Sequence, residues 1–233
     1  MAPELSRSKK AITKRKQTIR FTSGQASARG LTATVVSVGS SLDTRPWRLE
    51  LSPGLRWIEV DFPAMLDYKE SFMAAETPRC HRERLTADLN DPVQRRAIYA
   101  AAGPAPALMI TEGLLMYLPA TTVESLAVEA WRESGIAHWI SEITTTSFSK
   151  AIGGDGTRAL RHVQADDHLE GGQILETVYR HGWVTAARRS YITDLAFARE
   201  RIGRMMASRA MPAAPPPSFA HGDLSGVHRF ART

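Results

Sequence analysis

Residues 35–49 read VVSVGSSLDTRPWRL and contain the most informative local pattern of this chain. A short β-branched run ends at Gly39, two serines follow, and Asp43 and Arg45 come just behind them. A strand that ends in such a turn predicts either an ordinary loop or a pocket for a small ligand at the carboxyl end of a buried strand. The surrounding sequence has to separate these two interpretations.

Strand-like and helix-like patterns alternate over the following hundred or so residues. Strands are predicted over 34–38, 56–60, 83–86, 107–111 and 137–143, and helices over 63–75, 90–103 and 121–135. The run ALMIT at 107–111 is continuously apolar, as in strands that are covered on both faces. This alternation predicts an α/β fold with a doubly wound, mostly parallel sheet, whose ligands lie beyond the carboxyl ends of the strands.

The composition limits the class of protein. The 233 residues are 43% hydrophobic, which suits one α/β domain with a sizeable core. No apolar run is long enough to span a bilayer, and Cys80 is the only cysteine, so no internal disulfide can form. We therefore expect a reducing, cytoplasmic compartment and no membrane partner, while the oligomeric state stays open.

Basic residues are concentrated at the start of the chain. Residues 1–30 contain eight Lys or Arg and one Glu, a net charge of +7, whereas the remaining 22 basic and 23 acidic residues give −1. We expect a basic, partly disordered N-terminal arm over 1–30. An arm of this charge could bind nucleic acid or an anionic membrane, and its composition also suits a transit peptide.

The rest of the chain divides into a domain and a tail. We predict one domain over 31–210, in which the polar, glycine-rich segment 144–172 serves as a lid or substrate segment. A helix that ends at Gly182 and a strand that starts at Trp183 belong to this domain. Residues 211–233 begin with a proline-rich run and are predicted to form a C-terminal tail.

Small or acidic residues mark the ends of the first four predicted strands. A carboxylate such as Asp61 can accept both hydroxyl hydrogens of a ribose diol, and Asp88 with the next backbone N–H can pair with an adenine. Several acids together favour a positively charged nucleoside over NAD or ATP. Each residue alone also fits a turn or a helix cap, and only the joint arrangement predicts a site. The full set is Gly39, Ser40, Ser41, Asp43 and Arg45, then Glu59 and Asp61, then Asp88 and Leu89, and last Glu112 and Gly113.

Four motifs in this chain resemble those of one known family. They are VVSVGSSLDTRPWRL at 35–49, WIEVDFPAMLDYKESF at 57–72, ADLND at 87–91 and TEGLLMYLP at 111–119. In this order and spacing they are similar to the leucine carboxyl methyltransferase-like family of S-adenosylmethionine-dependent O-methyltransferases. The resemblance implies a class I, Rossmann-like methyltransferase fold and S-adenosylmethionine as the cofactor. It also implies methyl transfer to a carboxyl or hydroxyl oxygen of a small molecule. We expect no metal, because Cys80 and His81 alone make no zinc site and the segment HVQADDH at 162–168 fits a solvated loop better. On this interpretation we expect no nucleic-acid partner.

The resemblance further implies which residues bind the cofactor. Asp61 would hold the ribose, Asp88 and the Leu89 backbone would bind the adenine, and Glu112 would lie beneath the methionine part. The complete implied set is Gly39, Ser41, Asp43, Asp61, Asp88, Leu89, Glu112 and Arg20.

The implied catalytic residues are Glu112, beside the reaction centre, and Tyr117, towards the substrate. Two features depart from the family pattern. Ser41 stands where the family usually has a second glycine, so its side chain would either crowd or hydrogen-bond the cofactor. The family arginine that grips the cofactor carboxylate has Arg20 as its nearest candidate and Arg15 as an alternative. These departures support the alternative hypothesis of a catalytically inactive methyltransferase fold whose basic arm binds nucleic acid.

Overall fold

The computed structural model of the chain describes residues 33–132, 135–151, 169–194 and 222–232. The predicted basic arm, with Arg15 and Arg20, lies outside these residues. Residues 152–168 of the predicted lid segment and residues 195–221 also lie outside them.

The described residues form strands and helices in close alternation. The strands are β1 (Thr34–Val38), β2 (Arg56–Asp61), β3 (His81–Thr86), β4 (Ala107–Thr111), β5 (Ile136–Ile143), β6 (Trp183–Ser190) and β7 (Gly226–Arg232). The helices are α1 (Arg45–Arg48), α2 (Pro63–Met73), α3 (Pro92–Ala102), α4 (Ala120–Arg132), α5 (Thr146–Ala151) and α6 (Gly171–Arg180), with a short 3₁₀ helix at Leu115–Tyr117.

The strands form one seven-stranded sheet in the order β3-β2-β1-β4-β5-β7-β6. β1 is parallel to β2 and to β4, and β2 is parallel to β3, so that Val38 lies beside Val60 and Asp61 beside Thr86. β6 and β7 pair antiparallel. The strand order reverses between β1 and β4, which is the switch point where open α/β sheets bind ligands. The predicted α/β fold with a mostly parallel sheet is confirmed.

The described residues group into two compact units. The first contains the residues up to 112 together with those of 129–140, and the second contains 113–128 and the residues from 141 onwards. Strands β1 to β4 and helices α1 to α3 therefore belong to the first unit, whereas α6, β6 and β7 belong to the second.

Local sequence signals account for most element boundaries in the first unit. β1 and β4 are buried along their whole length, as their apolar runs predict. Helix α3 begins where the Asp91 side chain accepts two backbone N–H groups, has Pro92 in its first turn, and is followed by Gly103 at a φ of 76°. β3 starts two residues before the predicted strand, because His81 continues the parallel register with Arg56.

Four of the described elements are absent from the sequence prediction, and the 3₁₀ helix at Leu115–Tyr117 is one of them. Helices α1 and α5 are only four and six residues long, too short to show a helical period. Strand β7 lies in the segment 211–233, which the sequence analysis assigns to a tail. Residues 226–232 instead pair with β6, and Val227 and Phe230 are buried in the core. Among the described helices, none is long and apolar enough to cross a membrane.

Candidate functional site

The turn after β1 is folded against the end of β2. The N–H of Ser40 donates to the carbonyl of Val60 at 3.1 Å, and the N–H of Ser41 donates to Oδ2 of Asp61 at 2.7 Å. Gly39 and Ser41 both have positive φ values, 63° and 42°. Glycine adopts this conformation freely, whereas a serine is strained in it. The turn thus places the Asp61 carboxylate beside residues 39–41, and Ser41 contributes a backbone N–H.

Asp61 is held with its carboxylate in one orientation. Oδ1 accepts the N–H of Phe62 at 2.8 Å, while Oδ2 accepts the N–H of Ser41. A carboxylate offers about four lone-pair sites, so each oxygen keeps one acceptor position after these two bonds. Asp61 can therefore accept two further hydrogens side by side, as the vicinal hydroxyls of a ribose require.

Asp43, Arg45 and Glu112 form a second group at this edge, here called the edge cluster. Oδ1 of Asp43 accepts the Arg45 N–H at 2.9 Å, and Oδ2 accepts Nε of the same arginine at 2.5 Å. Nη2 of Arg45 lies 3.4 Å from Oε2 of Glu112. The guanidinium thus joins the carboxylate of the β1 turn to the carboxylate that follows β4.

The loop after β3 lies next to Asp61, since the Ala87 N–H donates to the Asp61 carbonyl at 3.2 Å. The Asp88 carboxylate accepts the N–H of Asn90 at 2.9 Å. Nη1 of Arg95 donates to the Leu89 carbonyl at 2.7 Å. The loop is therefore fixed through its backbone, and no described group accepts the Leu89 N–H.

Asp91 serves as the cap of α3, as predicted, and is not part of the ligand edge. Its carboxylate accepts hydrogen bonds from the Gln94 side chain and from the Val93 N–H. These bonds, the one from Gln94 above all, lower the pKa of Asp91. Its charge is thus satisfied by its own helix.

Glu59, which the sequence places among the strand-end acids, is buried in the interior of the first unit and does not face the ligand edge. It is 0% exposed. Oε1 contacts Nζ of Lys69 at 2.5 Å and Oε2 accepts Nε of Arg82 at 2.8 Å. Burial lowers the pKa of Lys69, although the Glu59 carboxylate opposes this. Glu59, Lys69 and Arg82 form an interior cluster, and both carboxylate oxygens of Glu59 are already bonded within it.

The structure brings most of the implied cofactor residues to one edge of the first unit. Tyr117 lies in the 3₁₀ helix of the second unit, so its role on the substrate side stays a prediction. Arg20 lies outside the described residues, and its role stays a prediction as well. The residues at the edge are Gly39, Ser41, Asp43, Asp61, Asp88, Leu89 and Glu112.

The donor set of this edge fits a cationic nucleoside. Asp43, Asp61, Asp88 and Glu112 contribute four carboxylates to this edge. Arg45 offsets one of them, and the charge of Arg95 beside Leu89 is offset by its own partner Glu129. The remaining excess of negative charge disfavours a phosphorylated ligand. Two buried polar atoms at the edge, Oγ of Ser40 and Nη1 of Arg45, have no hydrogen-bond partner within the described residues. The described residues contain no group of three or more His, Cys, Asp or Glu that could hold a metal.

Sequence comparison relates the chain to known methyltransferases. A relative from Saccharopolyspora erythraea named "Putative S-adenosyl-L-methionine-dependent methyltransferase" is 41% identical over 91 residues, which are 38% of this chain. Those residues span only 32% of that relative. The chain therefore matches about a third of the length of this relative.

Two solved structures have a similar fold. A DUF574 family protein from Streptomyces avermitilis superposes with a TM-score of 0.57 at 16% identity, covering 94% of this chain and 81% of that one. A protein from Thermobifida fusca described as a "putative methyltransferase" gives 0.53 at 19% identity, covering 95% and 80%. At these identities the likeness concerns the fold alone, and it supports the class I methyltransferase architecture.

The family model of leucine carboxyl methyltransferase matches residues 2–130. This match covers more than half of the chain. It includes the turn after β1, Asp61, the Asp88–Leu89 loop and Glu112, and it begins within the basic segment that precedes β1. The chain belongs to the leucine carboxyl methyltransferase family.

Proposed function

We propose that this chain binds S-adenosylmethionine at the carboxyl edge of β1 to β4 and transfers its methyl group to an oxygen atom of a small molecule. The observation that supports this most strongly is the Asp61 carboxylate, which two backbone N–H groups hold beside the turn at Gly39. Its two remaining acceptor positions match the two hydroxyls of a ribose.

The parts of the cofactor other than its carboxylate have matching groups at this edge. Asp61 accepts the ribose hydroxyls, and the Asp88 carboxylate with the Leu89 N–H pairs with the adenine edge. Gly39 allows the methionine part to approach the backbone closely. The Glu112 carboxylate faces the positive charge of the methionine part, and Arg20 binds its carboxylate. The Glu112 assignment rests on the family resemblance together with the charge of the edge, whereas the Arg20 assignment rests on the family resemblance alone.

The cofactor supplies a methyl group that its sulfonium already activates, so the protein contributes chiefly position and orientation. Asp61, Asp88 and Leu89 fix the nucleoside, and Glu112 fixes the methionine end. A carboxylate acceptor is nucleophilic as it stands, whereas a hydroxyl acceptor needs a group to take its proton. Tyr117 is the residue that we assign to the acceptor side.

Transfer of a labelled methyl group tests this proposal. The chain is incubated with S-adenosylmethionine labelled in its methyl group and with panels of small carboxylic acids and phenols. Methyl esters release the label in mild alkali and methyl ethers retain it, so the product identifies the acceptor oxygen. We expect O-linked label with the wild type and a strong reduction with Asp61→Asn. Label found only on nitrogen, carbon or sulfur would show that the O-methyl assignment is wrong.

No observation among the described residues favours the alternative of an inactive fold with a nucleic-acid-binding arm. The N–H of Ser41 occupies one acceptor position of the Asp61 carboxylate, and each oxygen still has one position for a ligand. The family match also includes the basic segment, so this segment is not an addition foreign to the family. We therefore retain the enzyme as the proposal.

A further inference from the structure

We propose that Arg45 is a positioning residue, which holds the Glu112 carboxylate where the methionine part of the cofactor binds. This inference rests on the proposed function and assigns a role to a residue that the family resemblance leaves without one. Arg45 lies in the turn after β1, and Glu112 follows β4, the strand on the other side of the switch point. Their contact therefore links the turn after β1 to the residue that follows β4.

Arg45 is itself fixed before it reaches Glu112. The residue is 1% exposed, and the Asp43 carboxylate grips both its backbone N–H and its Nε. Its guanidinium lies over the Trp57 ring, with Cζ 5.6 Å from the ring centroid. A paired guanidinium that also stacks on an aromatic ring loses little further freedom when it makes another contact.

Glu112 is the member of the edge cluster that a ligand can reach. Its side chain is 20% exposed, whereas those of Asp43 and Arg45 are 5% and 2% exposed. Oε2 of Glu112 is 3.4 Å from Nη2 of Arg45. The contact with Arg45 thus restrains the partly exposed Glu112 carboxylate on its buried side. The two carboxylates and one guanidinium of the edge cluster have a net charge of −1, which favours a cationic ligand.

Arg45 also keeps one donor that its two carboxylate partners do not use. Its Nη1 is buried and has no acceptor within the described residues. Buried guanidinium donors in a protein core are almost always hydrogen-bonded, because an unpaired donor is costly. Nη2 of Arg82 in the interior cluster is buried and unpaired as well, so this atom alone does not identify a ligand site. The contact of Arg45 with the partly exposed Glu112 carboxylate is the observation that assigns Arg45 to the ligand edge.

Calorimetric titration of Arg45→Lys with three probes tests this role. S-adenosylmethionine and S-adenosylhomocysteine carry the amino-acid part, whereas methylthioadenosine lacks it and contacts only the groups around Asp61 and Asp88. Lysine keeps the charge but lacks the planar guanidinium, which directs Nε to Asp43 and Nη2 to Glu112 at the same time. We expect affinity for the first two probes to fall about tenfold and that for methylthioadenosine to stay within about twofold.

Arg56→Lys is the matched control, since Arg56 forms a bidentate pair with Glu83 at the other end of β2. It should change none of the three affinities. Asp43→Asn is the second test variant, because it weakens the contact that fixes Arg45 without altering Arg45, and it should give the same selective loss. Asp43 also belongs to the implied cofactor set, so the variant is compared with its double mutant in the Glu112→Gln background, where a route through Arg45 and Glu112 predicts less than about twofold further loss. If Arg45→Lys does not fold, this variant carries the test.

A double-mutant comparison identifies the route of the effect. In a Glu112→Gln background, Arg45→Lys should weaken S-adenosylmethionine binding by less than about twofold further, because Arg45 acts through Glu112. An equal loss for all three probes would mean that Arg45 only supports the fold, and unchanged affinities would also overturn the inference. A folded wild type that binds none of the probes would instead reject the proposed function on which the inference rests.

Discussion

The interior cluster and the edge cluster both pair carboxylates with cations, but only the edge cluster keeps a carboxylate within reach of a ligand. In both, carboxylates meet buried cations within the first unit. Glu59 is fully buried and both its oxygens are bonded, whereas the Glu112 side chain is 20% exposed and lies beyond the end of its strand. The difference shows that a buried ion pair alone does not mark a binding site. What matters is whether one carboxylate remains accessible at the strand ends.

Helix α1 connects the two clusters. It carries Arg45 of the edge cluster and also Trp47, whose ring faces the cations of the interior cluster. Lys69 Nζ and Arg82 Cζ lie 5.5 and 4.7 Å from the Trp47 ring centroid. Nε1 of Trp47 donates to the Glu76 carbonyl at 3.1 Å. The interior cluster therefore supports the short helix that presents the edge cluster.

Neutralising one acid in each cluster should show which cluster contributes more to the free energy of unfolding. Glu59→Gln leaves the buried Lys69 without its counter-ion and leaves Arg82 with Glu70 alone, so the free energy of unfolding should fall by about 3–5 kcal/mol. Glu112→Gln should cost less than about 1 kcal/mol, because its carboxylate is partly exposed and its ion pair is long. Urea unfolding followed by circular dichroism measures both. Equal losses would remove the distinction between the clusters.

Asp88 and Asp91 allow a comparison between an acid assigned to the adenine and a nearby acid that only caps a helix. Asp88→Asn should weaken S-adenosylmethionine binding by about 1–2 kcal/mol, because an amide replaces a charged acceptor of the adenine. Asp91→Asn is the matched control three residues away, and asparagine caps helices as well as aspartate does. Calorimetry should therefore find a loss only for Asp88→Asn. A similar loss for Asp91→Asn would place the adenine elsewhere.

Asp223, in the second unit, is a buried acid that hydroxyl groups rather than cations satisfy. Burial opposes its charge, but hydrogen bonds from Ser147, Thr145 and Ser225 outweigh this and lower its pKa from an ordinary 3.8 to about 2. Because the folded pKa is depressed, the stabilisation is present above pH 3.8 and is lost as the pH falls towards 2. Asp223→Asn should therefore cost up to about 2 kcal/mol at neutral pH and progressively less across that window.

Unfolding of wild type and Asp223→Asn between neutral pH and pH 2 measures this difference. A gap between the two proteins that stays constant over the acid range would show that the charge of Asp223 contributes nothing. In that case the hydroxyl groups around Asp223 would not stabilise its charge, in contrast to the cations that pair with Glu59.

The smallest expected effect concerns the strain in the turn after β1. Ser41 has a φ of 42°, a conformation that costs a non-glycine residue about 1 kcal/mol. Ser41→Gly should recover about this amount, part of it offset by the greater freedom of glycine in the unfolded chain. A small rise in melting temperature, with S-adenosylmethionine affinity kept, is the expected result. A fall in melting temperature would show that the serine stabilises the turn.

Much of the fold follows from local sequence signals. The buried runs at 34–38 and 107–111 predict β1 and β4, and Asp91, Pro92 and Gly103 mark the ends of α3. Strand β7 is different, because its pairing with β6 joins residues that are far apart in the sequence and follows a proline-rich run. A local pattern carries little information about such a partner.

The candidate site was predictable only as a set of candidates. Asp61 and Glu59 are both acids near the end of β2, and in the sequence only the family resemblance separates them. The structure gives the physical reason, because Lys69 from α2 and Arg82 from β3 pair with Glu59, whereas Asp61 accepts backbone N–H groups. Arg45 was likewise visible in the motif, but its contact with Glu112 depends on the neighbouring position of β1 and β4.

We propose above that S-adenosylmethionine binds at the carboxyl edge of the sheet, with Asp61 at the centre of the site. The most direct test is calorimetric titration of the wild type and of Asp61→Asn, both shown to be folded, with S-adenosylmethionine and S-adenosylhomocysteine. We predict wild-type dissociation constants below ~1 mM and a loss of at least about tenfold in the variant for both ligands. A folded wild type that binds neither ligand, or an Asp61→Asn variant that binds both as tightly as the wild type, would contradict this account.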